Sequence, residues 1–257
     1  MEVDLLSDTH IHTSLCRHAS GTMEEYVLSA IDRGLARLVF LEHLEEGINA
    51  AYRTWLTEED FDNYFEEGWR LKQHYASRIM IGLGVEVGYN PDCVERILER
   101  LAWRRWDWVG LSCHFFRIDG HNEHLNVLSN NRRTIGLIER YGSRKFLNRY
   151  FATLTEGVRT IPAHILCHLD AGLRHQPNLH LEDSHWEQID TLLEEVKSAG
   201  MALEINTSGY KYRGLPFPRP EIIALARDKE IPLTLGSDAH NPSEVGRYFD
   251  RIPALLS

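Results

Sequence analysis

Val3-Asp4-Leu5-Leu6-Ser7-Asp8-Thr9-His10-Ile11-His12 opens the chain with an apolar run that leads into a His-x-His pair. In extended backbone, side chains at i and i+2 share a face, so the imidazoles of His10 and His12 can reach one ion together. A third histidine, His18, follows in the next loop. Alone, such a pair is weak, because single histidines are more often hydrogen-bonded structural residues. Its weight comes from what stands after the later apolar runs.

Seven such runs are present, at residues 3–7, 38–41, 79–85, 108–112, 163–167, 201–205 and 231–235. Continuous apolar runs without clean alternation predict strands covered on both faces, as in parallel sheets. Helical patterns lie between them. Thr22-Met23-Glu24-Glu25 and Ser184-His185-Trp186-Glu187 read as capping boxes. Asn90-Pro91 and Asn241-Pro242 place a cap before a proline, and Gly34 and Gly200 stand just past two helix ends. After Ser143, Leu147, Phe151, Leu154 and Val158 form one helical stripe. Residues 115–162 give no strand signal and predict a loop and two helices. Repeated strand–helix alternation predicts an α/β fold, either a (β/α) barrel or a doubly wound sheet, as a single domain over residues 1–257.

Active sites of (β/α) barrels gather at the strand C-terminal ends. The runs deliver, in order, His10 and His12, Glu42-His43, Glu86, His114, His168, Asn206-Thr207-Ser208-Gly209 and Gly236-Ser237-Asp238-Ala239-His240. All but one of these ends supply His, Glu or Asp, and scattered structural histidines have no reason to collect there. Imidazole with carboxylate suits Zn, Mn or Fe better than Mg or Ca. So many donors exceed one ion's needs and suit two or three. Multinuclear sites clamp both oxygens of an in-line phosphoryl displacement.

Composition narrows the partners. The chain of 257 residues carries a net charge of −10 and 43% hydrophobic residues. An acidic surface disfavours nucleic acid and anionic lipid. No apolar run is long enough for a membrane span, and the first residues show no basic-then-apolar leader pattern. Cys16, Cys93, Cys113 and Cys167 lack C-x-x-C spacing, which predicts reduced thiols and a cytoplasmic protein. Residues 132–159 carry seven basic residues and two acids, read as a solvated helix face.

The ordered set His10-x-His12, His18, Glu42-His43, Glu86, Ser112-x-His114-Phe115, His168 and Gly-Ser-Asp238-Ala-His240 resembles the PHP (polymerase and histidinol phosphatase) family of metal-dependent phosphoesterases. Cys16-Arg17-His18-Ala19, Leu203-Glu204-Ile205-Asn206-Thr207-Ser208-Gly209 and Pro232-Leu233-Thr234-Leu235-Gly236 are similar to its monofunctional histidinol-phosphatase branch. The resemblance implies a distorted seven-stranded, TIM-like barrel with a trinuclear site. By family pattern, His10, His12, Glu86 and Asp238 hold a first metal, Glu86, His114 and His168 a second, and His18, His43 and His240 a third. Glu86 bridges, and Asp238 is the candidate acid. The implied reaction is hydrolysis of a small phosphoester, L-histidinol phosphate, with inorganic phosphate as product. The rivals are a nucleotide as substrate, or a non-catalytic barrel. Leu111-Ser112-Cys113-His114 departs from the branch's Gly-Ser-x-His, which touches the pocket's shape more than its metals.

The remaining candidates come from location alone. Arg17, Arg174, Lys211 and Arg213 are rim-loop cations for phosphate. Asp119 and Glu123 are candidates for a substrate ammonium. His121, His124, His175 and His180 lie in rim-side loops. Phe115, Phe116, Tyr210 and Tyr212 offer aromatic faces. Cys113 and Cys167 are expected to pack in the layer between barrel and helices, and His74, His164 and His185 to lie outside the site.

Overall fold

The chain buries its apolar runs by laying them side by side, as seen in the computed structural model, which describes residues 3–176 and 180–257. The strands are β1 (Ser7–Ile11), β2 (Arg37–Glu45), β3 (Met80–Gly88), β4 (Val109–Ser112), β5 (Phe115–Arg117), β6 (His124–Asn126), β7 (Ile165–Leu166), β8 (Ala202–Asn206) and β9 (Leu233–Gly236). The helices are α1 (Met23–Asp32), α2 (Glu58–His74), α3 (Val94–Ala102), α4 (Arg132–Tyr141), α5 (Ser143–Thr160), α6 (Asp183–Ser198), α7 (Gly209–Arg213), α8 (Pro220–Asp228) and α9 (Ile252–Leu256). Seven strands form one sheet in the order β1-β2-β3-β4-β7-β8-β9, every pair parallel.

Closure comes from the first and last strands. Ile11 and Ala239 form a parallel bridge. Asp238 N–H donates to the His10 carbonyl at 2.9 Å, and His12 N–H to the Ala239 carbonyl at 3.0 Å. Asp8, fully buried, adds a side-chain tie: its carboxylate accepts Ser237 N–H at 2.9 Å and Gly246 N–H at 2.8 Å. The result is a nearly closed seven-stranded barrel, and the doubly wound alternative falls away.

The helices form where their caps and faces dictate. Thr22 and Glu25 make the expected capping box on α1. A second box, Thr57 with Asp60, starts α2. Leu147, Phe151, Leu154 and Val158 are all buried on α5. Gly34 and Gly200 take positive φ after α1 and α6, where a residue with a Cβ would be strained. Asn90 and Asn241 each cap a short 3₁₀ turn.

Several expectations are corrected. The first strand is Ser7–Ile11, not residues 3–7, because Leu5 and Leu6 are partly exposed while the polar residues after them enter the barrel. Strands β2 and β3 run on through His43 and Glu86 to Glu45 and Gly88. An apolar criterion cuts them short where the inward residues turn polar. Helix α6 begins at Asp183, two residues before the start that a Ser184 cap would set; Glu182 is the N-cap, and its N–H donates to His185 Nδ1 at 2.9 Å. Residues 115–162 contain a hairpin, with β5 antiparallel to β6, as well as α4 and α5. Cys167 does not pack in the outer layer. It joins Val39, Leu41 and Ile165 on the barrel's inner floor, while Cys113 packs in the main core as expected. Among the described residues, no helix is long and apolar enough to cross a membrane.

Candidate metal centre

The period of two along each strand builds the site. On β2, Val39 and Leu41 fill the floor while His43 and Glu45 continue the same inner face upward. On β3, Gly82, Gly84 and Gly88 leave room beside Glu86: a Cβ on Gly84 would meet the Leu41 side chain at 2.7 Å, and one on Gly88 the Glu45 carboxylate at 2.0 Å. Glu42 faces the other way and accepts Thr13 N–H at 2.6 Å, outside the cluster. Burial pushes its pKa up to about 8.

Glu86 lies at the centre with 0% exposure. Its Oε1 is 2.8 Å from His168 Nε2 and 3.0 Å from His114 Nε2. Its Oε2 is 2.9 Å from His43 Nδ1, 3.5 Å from His10 Nε2 and 3.7 Å from His12 Nε2. His12 Nε2 is 3.4 Å from Asp238 Oδ1 and 3.0 Å from His10 Nε2. Further out, His18 Nε2 and His240 Nε2 are 2.9 Å apart, and the His18 ring centroid is 5.3 Å from that of His43. All nine side chains named as metal ligands from the sequence therefore lie in one continuous cluster.

The donor set fits divalent transition ions. His12 Nδ1, His43 Nδ1 and Glu86 Oε2 are buried without a well-directed hydrogen bond, a costly arrangement for a site built to stay empty of cations. His10, His12 and Glu86 converge tightly enough for one ion, as do His43, Glu86 and His114, and His12, His43 and His240. Electrostatics agree. Burial opposes ionisation of Glu86, but His114 and His10 outweigh it and hold its carboxyl well below the usual range. Burial likewise opposes charge on His114, yet Glu86 and Glu45 raise its pKa to about 10. His18 is pushed down to about 3 by burial and by His43 and His240. Asp238, despite its burial, is held ionised well below its ordinary range by His12 and His10. The two carboxylates thus draw positive charge onto a group of imidazoles that repel it from one another, and metal ions resolve that conflict.

Two backbone positions are unusual. His168 has φ 26° and Asp238 φ 50°, where non-glycine residues are strained. Both belong to the proposed ligand set. Arg247 holds the second by donating to the carbonyls of Ser237 at 2.9 Å and Asp238 at 3.0 Å.

A cavity of about 520 Å³ opens over the cluster, lined by His18, His43, Glu86, His114, His168, Asp238 and His240 below and by Phe115, Asn126, Arg174, His175, Lys211, Tyr212, Glu244 and Arg247 around the rim. Of the four cations expected to meet phosphate, Arg174 and Lys211 line it. Arg17 and Arg213 do not; Arg213 lies toward Asp170 and Arg219. Lys211 and Arg247 both pair with Glu244, at 3.0 and 2.8 Å. Arg174 donates to the Leu128 carbonyl at 3.0 Å and lies over the Tyr212 ring at 4.6 Å. Asp119 pairs with Lys145 and Arg149, and Glu123 with Arg133, all on the outer surface. Those pairs occupy the two carboxylates expected to meet an ammonium, and they account for part of the basic stretch on α4 and α5. Phe116 packs on Phe146 and Tyr210 on Tyr248, leaving Phe115 and Tyr212 as the expected aromatics that reach the cavity. His175 lines the cavity; His124 accepts Asn49 N–H at 3.0 Å, and His121 and His180 are exposed. His74 is exposed, and His164 and His185 accept backbone N–H groups, away from the cluster.

Sequence reasoning missed Glu45 and Glu204. His114 Nδ1 is 2.7 Å from Glu45, and His10 Nδ1 is 2.6 Å from Glu204. The signal was available: Glu45 is two residues past His43 and Glu204 two before Asn206, so each shares a neighbour's inward face.

Comparison with known proteins agrees with this geometry. A family model described as PHP domain matches residues 8–208, and one described as PHP-associated matches residues 220–254. The chain is 31% identical to a Deinococcus radiodurans protein named "Probable histidinol-phosphatase", over 97% of this chain and 92% of the relative. The crystal structure of the "putative histidinol phosphatase hisK" of Listeria monocytogenes superposes with a TM-score of 0.86 at 23% identity, covering 95% of this chain and 99% of the other. The histidinol phosphate phosphatase of Lactococcus lactis, solved with zinc, L-histidinol and phosphate, has a TM-score of 0.78 at 19% identity, covering 97% of this chain and 92% of that one.

Proposed function

The chain belongs to the PHP domain family, and from that premise we propose that it is a metal-dependent phosphomonoesterase whose substrate is L-histidinol phosphate, released as L-histidinol and inorganic phosphate. The observation that carries the reading is the cluster around Glu86, open to a cavity of about 520 Å³ with cations on its rim. The substrate is taken from the relatives, because a phosphoryl-transfer centre is generic and cannot select an alcohol.

His10, His12, Glu86 and Asp238 would hold one ion, Glu86, His114 and His168 a second, and His18, His43 and His240 a third, drawn from Zn, Mn or Fe. When bound, such ions neutralise phosphoryl oxygens and lower the pKa of water. The protein's own groups do the rest. Arg174, steadied by Tyr212, and Lys211 offer charge-assisted hydrogen bonds to phosphate. Asp238, ionised and at the cavity floor, takes the proton of the attacking water late in the step, once the forming P–O bond has made that water acidic enough for a carboxylate held below its ordinary range. It then returns that proton to the leaving alkoxide, so one carboxylate serves as base and then acid. Phe115, on the cavity wall, supplies an apolar face for imidazole.

Phosphate release from histidinol phosphate, measured against nucleoside monophosphates and sugar phosphates with Zn and Mn added separately, tests this. The expected result is the highest kcat/KM for histidinol phosphate. A nucleotide hydrolysed more efficiently would retain the family and remove the named substrate.

A further inference from the structure

The geometry points to Glu204 as the positioning residue that fixes the tautomer of His10, and with it the presence of a lone pair on Nε2 facing Glu86. This deepens the metal-site reading and rests on it.

Glu204 is 1% exposed on β8 and each of its oxygens is committed. Oε1 lies 2.6 Å from His10 Nδ1. Oε2 accepts His168 N–H at 2.8 Å and Asn206 Nδ2–H at 3.1 Å. A carboxylate only accepts, so the hydrogen between it and His10 sits on Nδ1. In the neutral imidazole, the form that ligates, the other nitrogen, Nε2, then carries the lone pair, 3.5 Å from Glu86 and 3.0 Å from His12 Nε2. The same carboxylate steadies the backbone of His168, whose φ of 26° needs support. One side chain thus serves two candidate ligands that arrive from different strands.

The surroundings fix the hydrogen-bond polarity around Glu204. Asn206 cannot turn its oxygen toward Glu204, because that oxygen accepts Ser208 N–H at 3.1 Å and Ser208 Oγ–H at 2.5 Å. Gly236 leaves the passage between the two residues open: a Cβ there would lie 2.0 Å from Glu204 Oε1 and 2.6 Å from His10 Cβ. An amide at 204 would keep its oxygen toward the two donors from His168 and Asn206. Its NH₂ would then face His10 Nδ1, which must become an acceptor, and the proton moves to Nε2, where it blocks ligation. Glu204→Gln is nearly isosteric, so it reverses hydrogen-bond polarity with little change of shape.

The test uses zinc-loaded protein with ¹⁵N-labelled histidine. In wild type, His10 is expected to show a protonated Nδ1 and a zinc-shifted Nε2. Glu204→Gln is expected to lose that pattern and to bind zinc about 10- to 100-fold more weakly, with an unchanged far-UV spectrum. A wild-type His10 protonated on Nε2, or bound through Nδ1, overturns the inference without any variant, so it stays testable if Glu204→Gln does not fold. Zinc affinity within about twofold of wild type in Glu204→Gln, below the usual cost of losing such a partner, also overturns it. Failure of wild type to bind any divalent ion overturns the metal-site reading and this inference together, whereas normal wild-type binding beside an unperturbed variant removes only the role of Glu204.

Discussion

Glu86 stands where five histidine rings point, and it is the one side chain that touches both the deep pair, His10 and His12, and the outer group of His43, His114 and His168. Removing its charge while keeping its shape leaves those nitrogens without a shared anion. Glu86→Gln is therefore expected to lower metal content and to cut kcat/KM by more than about a hundredfold, beyond the usual cost of losing an outer partner. His74→Ala, at an exposed helix end, is expected to leave both unchanged. Elemental analysis and a phosphate-release assay on the same preparations check this, and a metal-loaded Glu86→Gln protein with wild-type turnover would remove the bridging role. At this scale the metal-binding types were legible in the sequence, because His, Glu and Asp at strand ends have few structural reasons to be there. Their hydrogen-bond partners were not. Nothing in one sequence pairs Glu204 with His10 across the barrel, or Glu45 with His114, until the strands are placed beside one another.

Strands and helices were legible to the extent that burial is two-sided. The seven barrel strands read as apolar runs because helices cover one face and the floor the other, but their upper ends were cut short at β2 and β3, where the inner face becomes His43, Glu45 and Glu86. The β5–β6 hairpin was invisible: each strand has three residues, too few for a period to show. Helix α5 was the clearest element, and its stripe yields a direct test. Phe151 is 0% exposed, packed with Tyr150 and near His185 of α6. Phe151→Ala leaves a cavity between the helix layer and the barrel and is expected to cost about 3–5 kcal/mol. For a chain of this size that corresponds to a fall in Tm of roughly 6–20 °C by calorimetry. A fall below about 2 °C would mean that the site collapses freely and that α5 is not held by this face.

Across the whole molecule, the strands that close the barrel also carry the site, so ion binding and closure are coupled. Asp238 N–H donates to the His10 carbonyl in the seam between β1 and the turn after β9, and the side chains of those two residues face the same cluster. Without ions, Glu86 and Asp238 draw protons onto neighbouring imidazoles, while His12 and His18 are kept from protonation by burial and by His43 and His240. The apolar core, which runs from Val3 to Ile252 around the outside of the barrel, does not depend on any ion. Stripping the metal should therefore loosen the molecule without unfolding it. An ion present at about a hundred times its Kd adds about 2.7 kcal/mol to the folded state. Chelation is accordingly expected to lower Tm by roughly 5–10 °C for each such ion lost, with far-UV circular dichroism retained at 25 °C. Stepwise re-addition of zinc should restore the melting temperature, and the number of equivalents needed counts the ions. A Tm indifferent to both chelator and zinc would mean that the histidine cluster holds the barrel together through hydrogen bonds alone, and the reading of the cluster as a metal centre would fall with it.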